Sequence, residues 1–150
     1  MKLPVNKFKS AIAEGLAMQR AQNWQGLQRL DGELAKWSPA DLLFPEAARL
    51  RAAWRIESGR REAGDQALQI VDVLLSRYGS WTDYLARAEA AHLAGKPVHA
   101  WIALERVGEA LYRQPLPELS SRAYKIARQL ETGPRWEATL KMLERVASGG

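Results

Sequence analysis

The stretch Ala88–Val107, AEAAHLAGKPVHAWIALERV, contains two helix-forming runs that are separated by Gly-Lys-Pro. Alanine, leucine, arginine and glutamate favour helix, glycine commonly ends one, and proline is tolerated at the first helical position. The stretch therefore predicts one helix that ends near Gly95 and another that starts at Pro97. Ala88 and Ala100 predict close contact between these two helices, because larger side chains would hold the backbones apart.

The rest of the chain shows the same alternation of apolar stripes at helical spacing and short breaks made of turn residues. We expect eight helices and an all-α fold, in which short connections make successive helices antiparallel. Asn6 is expected to cap the first helix and Pro134 to start the eighth. The expected breaks are Asn23, residues 37–41, Gly59 with an irregular segment at 60–66, Gly79, Gly95, residues 113–118 and residues 132–134.

Two further helix starts are predicted from capping patterns. Two residues are alternative caps for the third helix. One is Ser38, which has Asp41 three residues later as in a capping box. The other is Asp41 itself, which places Pro45 in the first turn. Ser80 and Asp83 form the same pattern before the fifth helix. Residues 147–150 are expected to fray or to begin a linker.

Apolar residues at intervals of three and four predict the inward face of each helix. The predicted inward residues include Phe8, Ala11, Ile12, Leu16, Leu27, Leu30, Leu34, Ala67, Leu68, Val71, Leu74, Leu75, Trp101, Leu104, Leu111, Ala123, Ile126, Ala127, Leu130, Leu140, Leu143 and Val146. Most of the six tryptophans are expected to fill gaps between helices, and an exposed one in a groove would be a strong binding anchor.

Turn residues recur at nearly constant intervals along the chain. Asn23, Gly59, Gly95 and Gly133 are separated by 36, 36 and 38 residues. Ala100 and Ala138 each follow a turn glycine after five positions and predict close helix contacts. This period indicates repeated helix–turn–helix units. We interpret residues 1–150 as one domain with approximate units 6–38, 41–79, 80–115 and 117–147.

The third unit, DYLARAEAAHLAGKPVHAWIALERV, resembles the tetratricopeptide (TPR) repeat family, whose unit has about 34 residues. The resemblance lies in an aromatic, small, glycine-turn, alanine and aliphatic series at Tyr84, Ala88, Gly95, Ala100, Leu104 and Val107. Residues 124–143, YKIARQLETGPRWEATLKML, form a weaker copy. The other units depart from the family pattern, since Asn23 replaces a turn glycine and Arg145 occupies an expected small position.

The TPR resemblance implies four helical hairpins stacked into a right-handed superhelix, with odd-numbered helices lining a concave groove. It implies a non-catalytic protein–protein interaction scaffold that binds a partner peptide or protein in that groove. The implied partner-binding residues are Arg51, Arg55, Tyr84, Glu89, His92, Arg122 and Lys125. A helical bundle without repeats and a regulatory or structural domain of a larger multidomain enzyme, such as a transferase, remain as alternatives.

Composition and charge narrow the range of partners. The chain has no cysteine, which excludes disulfides, cysteine-ligated zinc and thiol catalysis. The net charge of +5 favours an acidic partner, and nucleic acid is disfavoured because no long basic stripe with exposed aromatics is evident. We expect a cytoplasmic protein, since we find neither a signal peptide nor a membrane-spanning run. Self-association through the end hairpins is a further option.

The sequence contains no recognisable catalytic, cofactor or metal motif, so we expect neither an autonomous enzyme nor a cofactor. His92 and His99 lack the carboxylate-rich surroundings that a zinc site needs, and we interpret them as residues at a hairpin tip. Arg51 and Arg55 are four residues apart and share a helix face. They form either a clamp for an acidic tail or a solvated face paired with Glu57, Glu62 and Asp65.

The segment LPVNKFKSAIAEG, residues 3–15, resembles the opening of HpcH/HpaI-type class II 2-keto-acid aldolases. The strand that follows in that family, its barrel and its metal-binding carboxylates have no counterpart in this sequence. We therefore carry over no aldolase activity and interpret the likeness as a chance match of amphipathic helices, or at most a shared gene start.

Overall fold

The computed structural model describes residues 5–36 and 45–149. Within these ranges every regular element is a helix, there are eight of them, and there is no strand. The helices are α1 (Val5–Arg20), α2 (Trp24–Ala35), α3 (Glu46–Glu57), α4 (Arg61–Arg77), α5 (Trp81–Leu93), α6 (Pro97–Arg113), α7 (Pro117–Gln129) and α8 (Glu137–Ala147). The predicted all-α class with eight helices is therefore confirmed for the described part of the chain.

Each helix packs mainly against the helices that precede and follow it in the sequence. Further contacts join α1 to α3, α3 to α5, α5 to α7 and α6 to α8. Among the described residues, no close backbone approach joins helices more than two places apart in the sequence. Each apolar stripe is therefore covered by sequence neighbours, as in proteins whose units bury surface against the next unit along the chain.

Left-handed backbone closes three of the four turns that join an odd-numbered helix to the next even-numbered one. Gln22, Gly59 and Gly95 have φ angles of 56°, 72° and 75°, and glycine adopts this region without the steric penalty that other residues meet. The fourth turn is different, since Gly133 does not have a positive φ and the connection over residues 130–136 is longer. The regular spacing of turn residues therefore corresponds to similar backbone geometry in three turns.

The first, second and sixth helices start only partly as the sequence predicts. Pro97 is the first residue of α6, as expected. The Asn23 side chain caps α2 by accepting a hydrogen bond from the Gly26 N–H at 3.0 Å, which satisfies one of the unpaired donors of the first turn. The expected cap Asn6 lies inside α1, which begins at Val5.

The third and fifth helices start differently from the predictions. Ser38 and Asp41 lie outside the described residues, and Pro45 directly precedes α3. Ser80 precedes α5 but forms no side-chain cap. Its Oγ lies 2.8 Å from the hydroxyl of Thr82, and the carboxylate of Asp83 turns to another helix, so the predicted capping box is wrong.

Two other predictions about local structure are wrong. The segment 60–66 is not irregular, since α4 begins at Arg61 and buries Ala63 and Gly64. Pro134 does not start α8, which begins at Glu137. Ala138 is exposed, whereas its expected counterpart Ala100 is fully buried.

The core consists of a small N-terminal cluster and a larger one. The small cluster consists of Leu27, Leu34, Ala47, Leu50 and Trp54. The larger one extends from α3 to α8 and contains most of the predicted inward residues. At its far end Trp101 stacks on Trp136 with ring centroids 5.7 Å apart. Trp54, Trp101 and Trp136 are buried, as expected for residues that fill gaps between helices, while the Phe8 side chain lies outside the described part.

Candidate binding groove

A groove of about 390 Å³ opens between α3 and α5, and side chains of α1 and α7 also line it. Its apolar lining is formed by Ala52, Ala53, Ile56, Val71, Leu74 and Ala86. The small side chains on α3 and α5 leave a gap where the two helices pass. The gap reaches α4, because the nearly inaccessible Val71 and Leu74 form part of its lining.

Helical spacing places the lining residues on facing sides of α3 and α5. Residues separated by three or four positions lie on one helix face. The residues concerned are Arg49, Ala53 and Ile56 on α3 and Asp83, Ala86 and Glu89 on α5. Each helix therefore contributes charged and apolar side chains to the same groove.

A bidentate ion pair joins α3 to α5 across the groove. Arg49 donates from Nε to Oδ1 of Asp83 at 2.9 Å and from Nη2 to Oδ2 at 3.0 Å. The Asp83 side chain is 4% exposed, and this hydrogen bonding raises the pKa of Arg49 above its usual value. Two parallel hydrogen bonds fix both distance and orientation, so the pair holds α3 and α5 in register.

A second ion pair joins α5 to α7, where Arg122 donates to the carboxylate of Glu89. Burial raises the pKa of Glu89 above its usual value, although the charge and hydrogen bond of Arg122 act in the opposite direction. The charge of Glu57, at the end of α3, raises this pKa further. Glu57 and Glu89 are therefore close enough to repel each other.

A second cavity, of about 340 Å³, continues the groove towards α7. Ile56, Glu57, Glu89 and Arg122 line both cavities. The continuation adds His92, Lys125 and Gln129, among others, with Nε2 of His92 2.8 Å from Oε1 of Gln129. We refer to the two cavities together as the α3–α5–α7 groove.

The structure brings four of the seven predicted partner-binding residues together. Glu89, His92, Arg122 and Lys125 all line the α3–α5–α7 groove. Tyr84 lines neither cavity and is half-buried against the core, with the guanidinium of Arg106 5.8 Å from its ring centroid.

The other two predicted residues, Arg51 and Arg55, line neither cavity and bind Asp31 of α2. Arg51 Nε lies 3.1 Å from Asp31 Oδ1, and Arg55 Nη2 lies 3.0 Å from Oδ2. Arg55 is 8% exposed, so the predicted solvated face is wrong for this residue.

Sequence reasoning missed Arg49, Asp83 and Glu57 as groove residues. The sequence predicts a helix-capping role for Asp83 instead, because a carboxylate three residues after a serine fits that pattern. The sequence did contain one indication of this face, because Asp83, Ala86 and Glu89 lie at intervals of three residues. That spacing shows that they share a face, but it does not show which helix faces them.

In residues 5–36 and 45–149 no group of three or more acidic or histidine side chains is positioned to hold a metal ion. No helix in these ranges is long and apolar enough to cross a bilayer.

Comparison with protein-family models, curated protein sequences and solved structures found no match.

Proposed function

We propose that this protein is a non-catalytic interaction scaffold that binds a peptide segment of a partner protein in the α3–α5–α7 groove. The observation that carries the proposal is the apolar gap between α3 and α5, which extends towards α7. Its apolar lining suits aliphatic side chains, and its length across three helices suits a peptide that presents several of them.

A TPR-like stacking of four hairpins is part of this proposal. Contacts between odd-numbered helices, from α1 to α3, α5 and α7 in turn, support it. The left-handed turns at Gln22, Gly59 and Gly95 also support this stacking, because they recur at nearly the same interval as the turn residues in the sequence. In such a stack the odd-numbered helices form one continuous face, and this is the face on which the groove lies.

The groove is also preorganised for binding. The pairs Arg49–Asp83 and Glu89–Arg122 already satisfy most of its charges without a ligand. An incoming apolar side chain therefore displaces water from Ala53, Ile56 and Ala86 without breaking a polar network. Rigid walls reduce the entropy that is lost when a peptide binds.

Panning a random-peptide library on two variants tests the proposal. Ala53→Trp fills the gap between α3 and α5, whereas Ala13→Trp adds the same bulk at an exposed position of α1. We expect the unmodified protein and Ala13→Trp to select shared peptides with aliphatic residues, and Ala53→Trp to lose them. Circular dichroism checks that each variant is folded. Ala53→Gln fills the same gap with a smaller side chain.

The proposal is wrong if the selected peptides bind Ala53→Trp and Ala53→Gln as tightly as they bind the unmodified protein. It is also wrong if no peptide is selected on the folded, unmodified chain. In both cases the groove would be a packing gap without a role in recognition.

A further inference from the structure

The charges that line the larger of the two cavities do not balance, and Lys125 enters only in the continuation towards α7. Asp83 is matched by Arg49, and Glu89 is matched by Arg122. Glu57 is exposed, lines both cavities, and forms no hydrogen bond or ion pair with any residue that the structure describes. The larger cavity therefore has one carboxylate more than its cationic side chains neutralise.

The position of Glu57 is unfavourable for folding. It is the last residue of α3, where the helix dipole places partial negative charge and a cation would be preferred. It also lies close enough to Glu89 to raise the pKa of that buried carboxyl. No contact in the described chain offsets either effect, and a position that violates local preferences in this way is a candidate for a functional role.

The lining beside Glu57 is apolar. Ile56 is its neighbour and lines both cavities, and Ala53 lies one helical turn earlier along α3. An apolar surface that ends at carboxylates matches lysine and arginine, whose aliphatic stems pack on apolar groups while the charged head stays polar. A metal ion fits less well, because no three-ligand cluster is present in the described ranges.

We propose that the groove selects peptide segments that carry a lysine or arginine, and that the cationic head binds between Glu57 and Glu89 while neighbouring aliphatic residues occupy the gap over Ala53 and Ala86. This inference rests on the proposed function and specifies its partner chemistry. It differs from the acidic partner that the net charge favours, which stays a prediction. Arg51 and Arg55, the residues expected to clamp an acidic segment, bind Asp31 and line neither cavity.

The test uses the peptides recovered on the unmodified protein, resynthesised with a fluorescent label. In each peptide the lysine or arginine is replaced by norleucine, which keeps the aliphatic stem and removes the charge, or by glutamate. Affinities are measured by fluorescence anisotropy for the unmodified protein, Glu57→Gln, Glu57→Lys and the control Glu105→Gln. Glu105 is exposed on α6 and lines neither cavity.

We expect the cationic peptide to bind Glu57→Gln about fivefold more weakly than the unmodified protein, the size of one partly exposed charge pair. Glu57→Lys should weaken it further and improve binding of the glutamate peptide. The norleucine peptide should bind the unmodified protein and Glu57→Gln equally. Glu105→Gln should change none of these affinities, and added salt should weaken the cationic peptide most.

The inference is overturned if replacement by norleucine lowers the affinity equally for the unmodified protein and for Glu57→Gln. It is also overturned if the groove-dependent peptides contain no lysine or arginine. Either result leaves peptide binding in the groove intact, because sensitivity to Ala53→Trp is a separate measurement. Failure to recover any groove-dependent peptide would reject both proposals together.

Discussion

At the residue scale, Asp31 is the clearest case of a side chain whose role depends on distant partners. Three donors from one stretch of α3 converge on it, since Trp54 Nε1 lies 3.0 Å from Oδ1 beside the guanidinium groups of Arg51 and Arg55. Burial would raise the pKa of Asp31, but these hydrogen bonds outweigh it and lower the pKa from 3.8 to about 2. Asp31 therefore stays ionised and fastens α2 to α3.

This depressed pKa predicts a loss of stability in acid. Because the folded-state pKa lies below 3.8, ionised Asp31 stabilises the fold above about pH 4, and the contribution disappears as the pH falls through about 2. The free energy of unfolding should fall over this range by on the order of 2 kcal/mol more in the unmodified protein than in Asp31→Asn. Urea unfolding at a series of pH values measures the difference.

Glu33→Gln is the matched control for Asp31→Asn, because Glu33 lies on the same helix in an exposed pair with Lys36. Exposed pairs contribute little, so this variant should follow the pH dependence of the unmodified protein. Identical pH dependence in Asp31→Asn and the unmodified protein would contradict the assignment.

The sequence predicted part of this arrangement. The four-residue spacing showed correctly that Arg51 and Arg55 share a helix face. It did not show that the face meets Asp31, which lies 20 residues before Arg51 in the chain. The basic side chains therefore looked available to a ligand when they are largely engaged within the fold.

At the element scale, two glycines in helices show how packing changes the effect of the same residue. In α4, a Cβ on Gly64 would lie 2.9 Å from the backbone nitrogen of Ala94 and 2.9 Å from Cγ of Leu93. In α2, a Cβ on Gly32 would meet nothing within 4 Å. Gly64 therefore allows α4 to approach the end of α5, whereas Gly32 has no packing role among the described residues.

Alanine substitutions at these positions should have opposite effects. Gly32→Ala should raise the free energy of unfolding by about 0.5–1 kcal/mol, because alanine loses less backbone entropy in a helix. Gly64→Ala should lower it by about 1–3 kcal/mol, since the clash with a backbone atom outweighs the same gain. Urea unfolding of the two variants measures both values, and stabilisation by Gly64→Ala would show that α4 and α5 do not approach this closely.

Gly64 also explains why residues 60–66 were predicted to be irregular. Glycine is a poor helix former, and charged residues surround it in this segment. The apolar residues that would have revealed helical periodicity are small, since Ala63 and Ala67 fill the positions that face inward. Contact with the end of α5 stabilises the helix at residues 61–66 by more than the low helix propensity of this segment destabilises it.

At the scale of the whole molecule, the helices have unequal numbers of neighbours. The central helix α5 packs against α3, α4, α6 and α7, whereas α1 packs against α2 and α3 alone among the described elements. Stability in a chain of nearest-neighbour contacts depends on how many interfaces each unit shares. The ends should therefore open more easily than the middle.

Hydrogen exchange should reveal this gradient. Amides of α5, which buries Leu85, Ala88, Ala90 and Ala91, should exchange most slowly, and those of α1 and α8 most rapidly. Exchange followed by mass spectrometry or NMR measures the protection of each helix. Uniform protection across all eight helices would indicate a single cooperative unit and contradict local opening from the ends.

The sequence by itself determined the helices and most of their boundaries, as in the turn at Gly95 followed by Pro97. Helical preference, turn residues and apolar spacing act within a few neighbouring positions, so they can be read from a short stretch. Tertiary structure decided the groove, because Arg49 and Asp83 are 34 residues apart and meet through the packing of α3 against α5. It also decided that Ala100 is buried and Ala138 exposed, although both follow a turn glycine after five positions. A helix face is encoded locally, but its partner depends on how all the connections place the helices together.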